Sequence, residues 1–161
     1  MELLVVVLII GILATVAVPQ YKYAVNKTKY QKVIAVADAI YKSQLVFYTE
    51  HGYYTTNFKE LILDISGVTY ERKTSEGAVW AQRFLGNKVE CVLTTDSMVT
   101  TSTKVTCSTE VGPLYGIWYS EPSVPRACIS KNEKQENFCK RITGKQKTDG
   151  WKWGTYWVWP F

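Results

Sequence analysis

Apolar and polar positions divide the chain into three regimes. From Leu3 to Val18 every residue is apolar or small, with one carboxylate, Glu2, at the mouth of the run and Pro19 at its exit. Those 16 residues span about 24 Å as a helix. That falls slightly short of the roughly 20 residues a bilayer core requires, yet the run is too uniformly apolar for an amphipathic helix. From Ala24 to about Glu50 the pattern changes to a 3.6-residue period. Tyr30, Val33, Ile34, Ala37, Ile40, Tyr41, Gln44, Leu45 and Tyr48 form the predicted buried stripe, and Lys27, Lys29, Lys32, Asp38 and Lys42 fall mostly opposite it. A helix stop is expected near His51-Gly52, where glycine favours the cap. His51 beside that cap reads as a capping or surface residue.

Residues 68–120 change period again, to two, with Val, Thr, Tyr and Trp enriched and turn residues between them. The strongest hairpin pairs Val89–Thr95 with Thr103–Thr109 across a polar Asp96–Ser102 tip. A register that sets Cys91 opposite Cys107 places both on the apolar face. Tyr115–Tyr119, after Gly112-Pro113, is a further strand, and Glu121–Pro125 reads as a break. Cys128 and Cys139 then bracket ten residues, a spacing that suits a disulfide-closed loop worth about 3 kcal/mol. The pairings Cys91–Cys107 and Cys128–Cys139 are the expected ones among three connectivities. Asp149-Gly150 is a candidate hairpin turn.

The predicted architecture is α+β, a long N-terminal helix packed on an antiparallel sheet with a disulfide-closed C-terminal region. Residues 1–21 form the hydrophobic half of the helix and 22–161 one globular domain. Within that domain the amphipathic helix runs to about 50, a connecting segment covers 51–67, the sheet 68–120 and the disulfide region 121–161. The roughly 140 residues beyond the apolar run suffice for a single core.

A charge at the edge of an apolar helix is costly unless something specific pairs with it. This marks Glu2 as an assembly residue. A secretory signal would have a basic start and a small-residue cleavage site. Here the start is acidic, and Ala14-Thr15-Val16-Ala17 offers only a weak site. The segment from Glu2 through Ile10-Gly11 and Val18-Pro19 to Tyr21 resembles, nearly residue by residue, the N-terminal segment of type IV pilins and their pseudopilin relatives. The resemblance implies a helix that anchors in the inner membrane before assembly and forms a filament core afterwards. It also implies that Glu2 pairs with the N-terminal amine of a neighbouring subunit, and that the helix loosens between Gly11 and Pro19. Gly52-Tyr53-Tyr54-Thr55 and Glu60-Leu61 resemble the family's connecting segment, with Thr55 in place of the common proline. Family precursors carry a short basic leader and a few residues ahead of the glutamate, so a start upstream of Met1 is expected. A prepilin peptidase and an assembly platform are the implied partners, together with copies of the chain or other pilins. A C-terminal disulfide region is common in this family.

Four cysteines without a CxxC pair, and a single distant histidine, argue for disulfides in an oxidising compartment and against zinc. The lysines after the apolar run, Lys22, Lys27, Lys29 and Lys32, would by themselves favour a cytoplasmic side. The resemblance places that side outside, in a pilus or a periplasmic pseudopilus. Residues 1–121 balance 11 basic against 11 acidic side chains, so the net charge of +5 lies in the last forty residues. There Arg126, Lys131, Lys134, Lys140, Arg141, Lys145 and Lys147 accompany Trp151, Trp153, Trp157 and Trp159. Basic residues among aromatics suit a nucleic-acid or other surface contact, with charge for phosphates and rings for stacking. They equally suit packing of the rings on the sheet, with the lysines as a solvated edge. No Gly-rich phosphate loop and no GxSxG motif occurs, so neither catalysis nor a cofactor is expected. The expected function is that of a structural subunit of a type IV pilus-like filament. The alternatives are a type II secretion pseudopilin and a DNA-binding minor pilin. A pseudopilin would often bind calcium near the C-terminus, where only Asp149 and two glutamates are present.

Overall fold

The computed structural model describes residues 2–63, 69–75, 78–86, 88–95, 103–109, 112–118, 126–146 and 149–161. Helix α1 runs unbroken over Glu2–His51. It stops where Gly52 takes a φ of 78° and donates its N–H to the Tyr48 carbonyl at 2.8 Å, the left-handed cap for which glycine carries no Cβ penalty. Tyr30, Val33, Ala37, Ile40, Gln44 and Phe47 are the buried side of its second half.

The predicted stripe needs one correction there. Leu45 and Tyr48 are each 37% exposed, and Phe47 is buried in their place. The buried stripe drifts around the last turns of α1 toward the side over which the chain returns. Gln44, fully buried, fixes that return. Its Nε2 donates to the Thr55 carbonyl at 2.6 Å and its Oε1 accepts the Thr55 N–H at 3.2 Å. A buried amide satisfied on both ends costs little, whereas an unpaired one is expensive. The connecting segment then makes a 3₁₀ turn at Phe58–Glu60, with Asn57 Oδ1 accepting the Lys59 N–H as its cap. The Thr55 hydroxyl donates to Glu60.

Eight strands follow: β1 (Thr69–Ser75), β2 (Ala78–Gly86), β3 (Val89–Thr95), β4 (Thr103–Thr109), β5 (Leu114–Trp118), β6 (Arg126–Ser130), β7 (Trp151–Trp153) and β8 (Tyr156–Pro160). They form one antiparallel sheet in the order β1-β2-β3-β4-β5-β6-β8-β7. The first six strands are a meander. The last hairpin folds back so that β8 pairs with β6 and β7 becomes the edge. The register of β3 on β4 is the predicted one, with Cys91 opposite Cys107 and both buried. Val89, Leu93 and Val105 share that face, and Glu90, Val92, Thr94 and Thr106 are half-buried. The Asp96–Ser102 tip and the Glu121–Pro125 break lie outside the described residues.

The two expected disulfides are both present, Cys91–Cys107 and Cys128–Cys139. The second does not close a plain loop, however. Cys139 lies on a helix, α2 (Glu133–Thr143), and the bond clamps α2 to β6. Asn132 caps α2 by accepting the Gln135 N–H at 3.0 Å, and Gln135 accepts the Lys131 N–H at 2.8 Å in return. The first of these bonds satisfies a donor that a helix start leaves unpaired, and the second ties the incoming chain to the first turn. Gly144, at a φ of 72°, ends it.

The turn of the last hairpin also differs from the expectation. It lies at Gly154-Thr155, with Gly154 at a φ of 60°. Asp149 instead accepts the Gln146 N–H at 2.8 Å, and Gly150 lies against the ring of Trp159. A Cβ at Gly150 would come within 3.1 Å of that ring and of the Val158 carbonyl, so this glycine serves a close approach rather than a turn.

The main core lies between the sheet and the two helices. It includes Tyr30, Val33, Ile40, Leu93, Val105, Tyr115, Ile117 and Trp159, with Phe138 and Ile142 of α2 packed against it. A smaller cluster of Ala127, Ile129 and Val158, with Leu114 and Tyr156, is built from the alternate residues of β5, β6 and β8.

Candidate assembly and membrane helix

The first half of α1 is built almost wholly from leucine, isoleucine, valine and alanine, whose side chains carry no hydrogen-bonding group. Its large side chains from Leu3 to Val18 are 48–77% exposed. An exposed apolar surface of that extent, all round a helix, requires cover by lipid or by protein. By length and composition this helix is able to cross a membrane, a test that a signal sequence at an N-terminus also passes. Glu2 is the first residue of α1. Gly11 has open space where a Cβ would stand. Pro19 lies inside the helix, where it removes the N–H that would bond the Thr15 carbonyl. The Thr15 hydroxyl meanwhile donates to the Ile12 carbonyl at 2.6 Å. The helix is continuous through both Gly11 and Pro19.

Just beyond the exposed run, α1 meets α2. Phe138 is wedged between Tyr23 and Tyr30, its centroid 5.9 Å from the first ring and 5.3 Å from the second. The Arg141 guanidinium lies over the Tyr23 ring, 3.8 Å from its centroid. Tyr30 meets Tyr115 edge-on at 6.2 Å and donates its hydroxyl to the Leu114 carbonyl at 3.2 Å. Burial pushes the Tyr30 phenol well above its ordinary range, and the neighbouring Tyr115 adds to this. Tyr115 is pushed up to about 12, first by burial, then by the nearby Asp38 carboxylate, with Arg126 opposing.

The basic C-terminal residues do not act as one set. Arg126 lies 3.4 Å from Asp38, an ion pair that ties β6 to α1. Lys140 pairs with Glu136 at 2.7 Å and stands 5.3 Å from the Trp159 ring centroid. Lys131, Lys134 and Arg141 are exposed and Lys145 is half-buried. Lys147 lies outside the described residues. Trp159 is fully buried in the main core and stacks at 6.1 Å with Trp157, which is half-buried against it. Trp151, 38% exposed, and Trp153 belong to the edge strand β7. The inward rings therefore pack on the sheet. His51 is exposed, with its ring stacked on Phe47 at 4.1 Å.

The sequence reading missed the lock between α1 and α2. Asn132 and Gly144, eleven residues of helix apart, were the available signal. Comparison with known protein families, with curated proteins and with solved structures finds no match in any of the three.

Proposed function

We propose that this chain is a structural subunit of a type IV pilus-like surface filament, assembled through its N-terminal hydrophobic helix. The observation that carries the reading is the apolar run of α1, exposed along its whole length, headed by a carboxylate and continuous with the helix that packs on the sheet. The segment from Glu2 to Tyr21, which resembles pilin N-termini, supports the same reading. In it the helix waits in the inner membrane, then leaves lipid for contact with copies of itself. Glu2 remains a costly charge in that apolar bundle until a neighbouring subunit's terminal amine neutralises it. A subunit out of register leaves both charges unpaired, which makes docking specific. The sheet and α2 form the outer layer, and Cys91–Cys107 and Cys128–Cys139 suit an oxidising exterior. A pseudopilus subunit has the same build, and the two disulfides favour the pilus.

The test is incorporation into filaments sheared from the surface of the source cells. Glu2→Ala is expected to leave the protein in the membrane fraction. Its incorporation falls roughly a hundredfold, because an orphaned buried charge costs about 3 kcal/mol. Incorporation of the variant at the level of the natural chain contradicts the proposal.

A further inference from the structure

We propose that the junction of α1 and α2 forms a basic collar that contacts anionic phospholipid headgroups when the apolar run is in the bilayer. This rests on the membrane stage of the function proposed above. Three observations carry it. The first is position. Tyr23 stands five residues beyond Val18, about 7.5 Å further along the helix axis. A headgroup layer is about 5–8 Å deep on each side of the hydrocarbon. With Val18 at the hydrocarbon edge, Tyr23 and the guanidinium stacked on it lie at headgroup level.

The second is charge. Lys22, Lys27, Lys29 and Lys32 follow the run with no acidic residue before Asp38. Lys22, Lys27 and Arg141 are exposed, and none of the three pairs with a carboxylate among the described residues. The acids of α2 lie toward its other end, and Glu136 is already engaged by Lys140. The third is rigidity. The Cys128–Cys139 bond holds α2 to β6, and Phe138 wedges it against Tyr23 and Tyr30. Arg141 is thus fixed at this level rather than carried on a loose tail. Tyr21, 72% exposed, and Tyr23 add the amphipathic rings that favour a membrane interface. The pairing of α1 with α2 therefore brings a cation from residue 141 to the exit of the apolar run of α1.

The test reconstitutes the full chain from detergent into a mixture of two tagged nanodisc populations, one of phosphatidylcholine and one containing phosphatidylglycerol. The discs are then separated and the protein in each is counted. The chain is expected to favour the anionic discs. Each basic residue at an anionic surface contributes roughly fivefold, so Arg141→Gln lowers the preference by about that factor. Lys22→Gln has a similar effect. Arg141→Lys, which keeps the charge and loses the planar stack, retains the preference, and so does Lys134→Gln at the far end of α2. Salt at about 0.5 M brings the distribution close to even. An even distribution of the natural chain at low salt, or an unchanged preference in both Arg141→Gln and Lys22→Gln, overturns the collar and leaves the membrane stage standing. A chain that enters neither disc overturns both.

Discussion

Between Leu3 and Val18 the large side chains of α1 are 48–77% exposed, while Val33, Ala37, Ile40 and Gln44 on the same helix are fully buried. Both stretches are regular helix, and both are rich in branched apolar residues. What separates them is the supply of partners. The second half alternates its apolar positions with lysines and meets β3, β4 and β5 of its own chain. The first half has no polar face to present to water, and its own chain leaves it exposed. A backbone of uniform conformation thus carries two kinds of surface, and the sequence pattern, rather than the secondary structure, decides which of them the chain itself buries.

The sharpest way to break the comparison is to place the same change in each half. Ile40→Asp is expected to cost more than about 4 kcal/mol and to prevent folding, because it deletes buried area and leaves a carboxylate unpaired in the core. Ile9→Asp is expected to leave thermal unfolding of the domain within about 2 °C of the natural chain. It lowers partition into lipid vesicles by roughly a hundredfold, the effect of about 3 kcal/mol for Asp near a bilayer centre. Equal effects of the two substitutions on unfolding would mean that the halves are not separate.

The next effect concerns the clamp on α2. Replacing Cys128 and Cys139 together by alanine is expected to cost about 2–4 kcal/mol in chemical unfolding. Proteolysis of the variant is expected to begin in α2 and not in β3 or β4, which keep the Cys91–Cys107 bond. A third effect tests how tightly the second half of α1 is sealed. The unfolded chain ionises its tyrosines near pH 10, whereas in the folded chain Tyr30 and Tyr115 keep their protons to higher pH. Their contribution to stability is fully present below pH 10 and is lost as the pH rises above it, for Tyr115 through about 12. Absorbance titration of the phenols alongside unfolding is expected to show both changes in that window. In Tyr115→Phe part of the stability loss disappears.

Much of this division was legible in the sequence. The apolar run, the amphipathic half and the helix stop at Gly52 follow from period and capping alone. The β3–β4 register was legible because alternation and a cysteine pair point to the same face. The C-terminal region was harder to read for physical reasons. Helix α2 is short and polar, and its apolar positions, Phe138, Cys139 and Ile142, are too few to establish a period. Asp149-Gly150 has the composition of a turn, but Gly150 is there for the Trp159 ring, a contact made with a strand later in the sequence. Phe47 replaced Leu45 and Tyr48 in the core because a distant hydrogen bond, Gln44 to Thr55, fixes which side the returning chain covers. The exposure of Arg141 beside Tyr23 likewise depends on a disulfide between β6 and α2 rather than on local pattern.

The central claim is that the apolar half of α1 serves an external surface and the remainder folds on its own. Its most direct test is thermal unfolding and vesicle flotation of a chain that begins at Lys22, measured beside the full chain. The account predicts a soluble monomer that unfolds within about 2 °C of the full chain and does not float with phosphatidylcholine vesicles. A fragment that is unfolded, or one that floats as the full chain does, would contradict it.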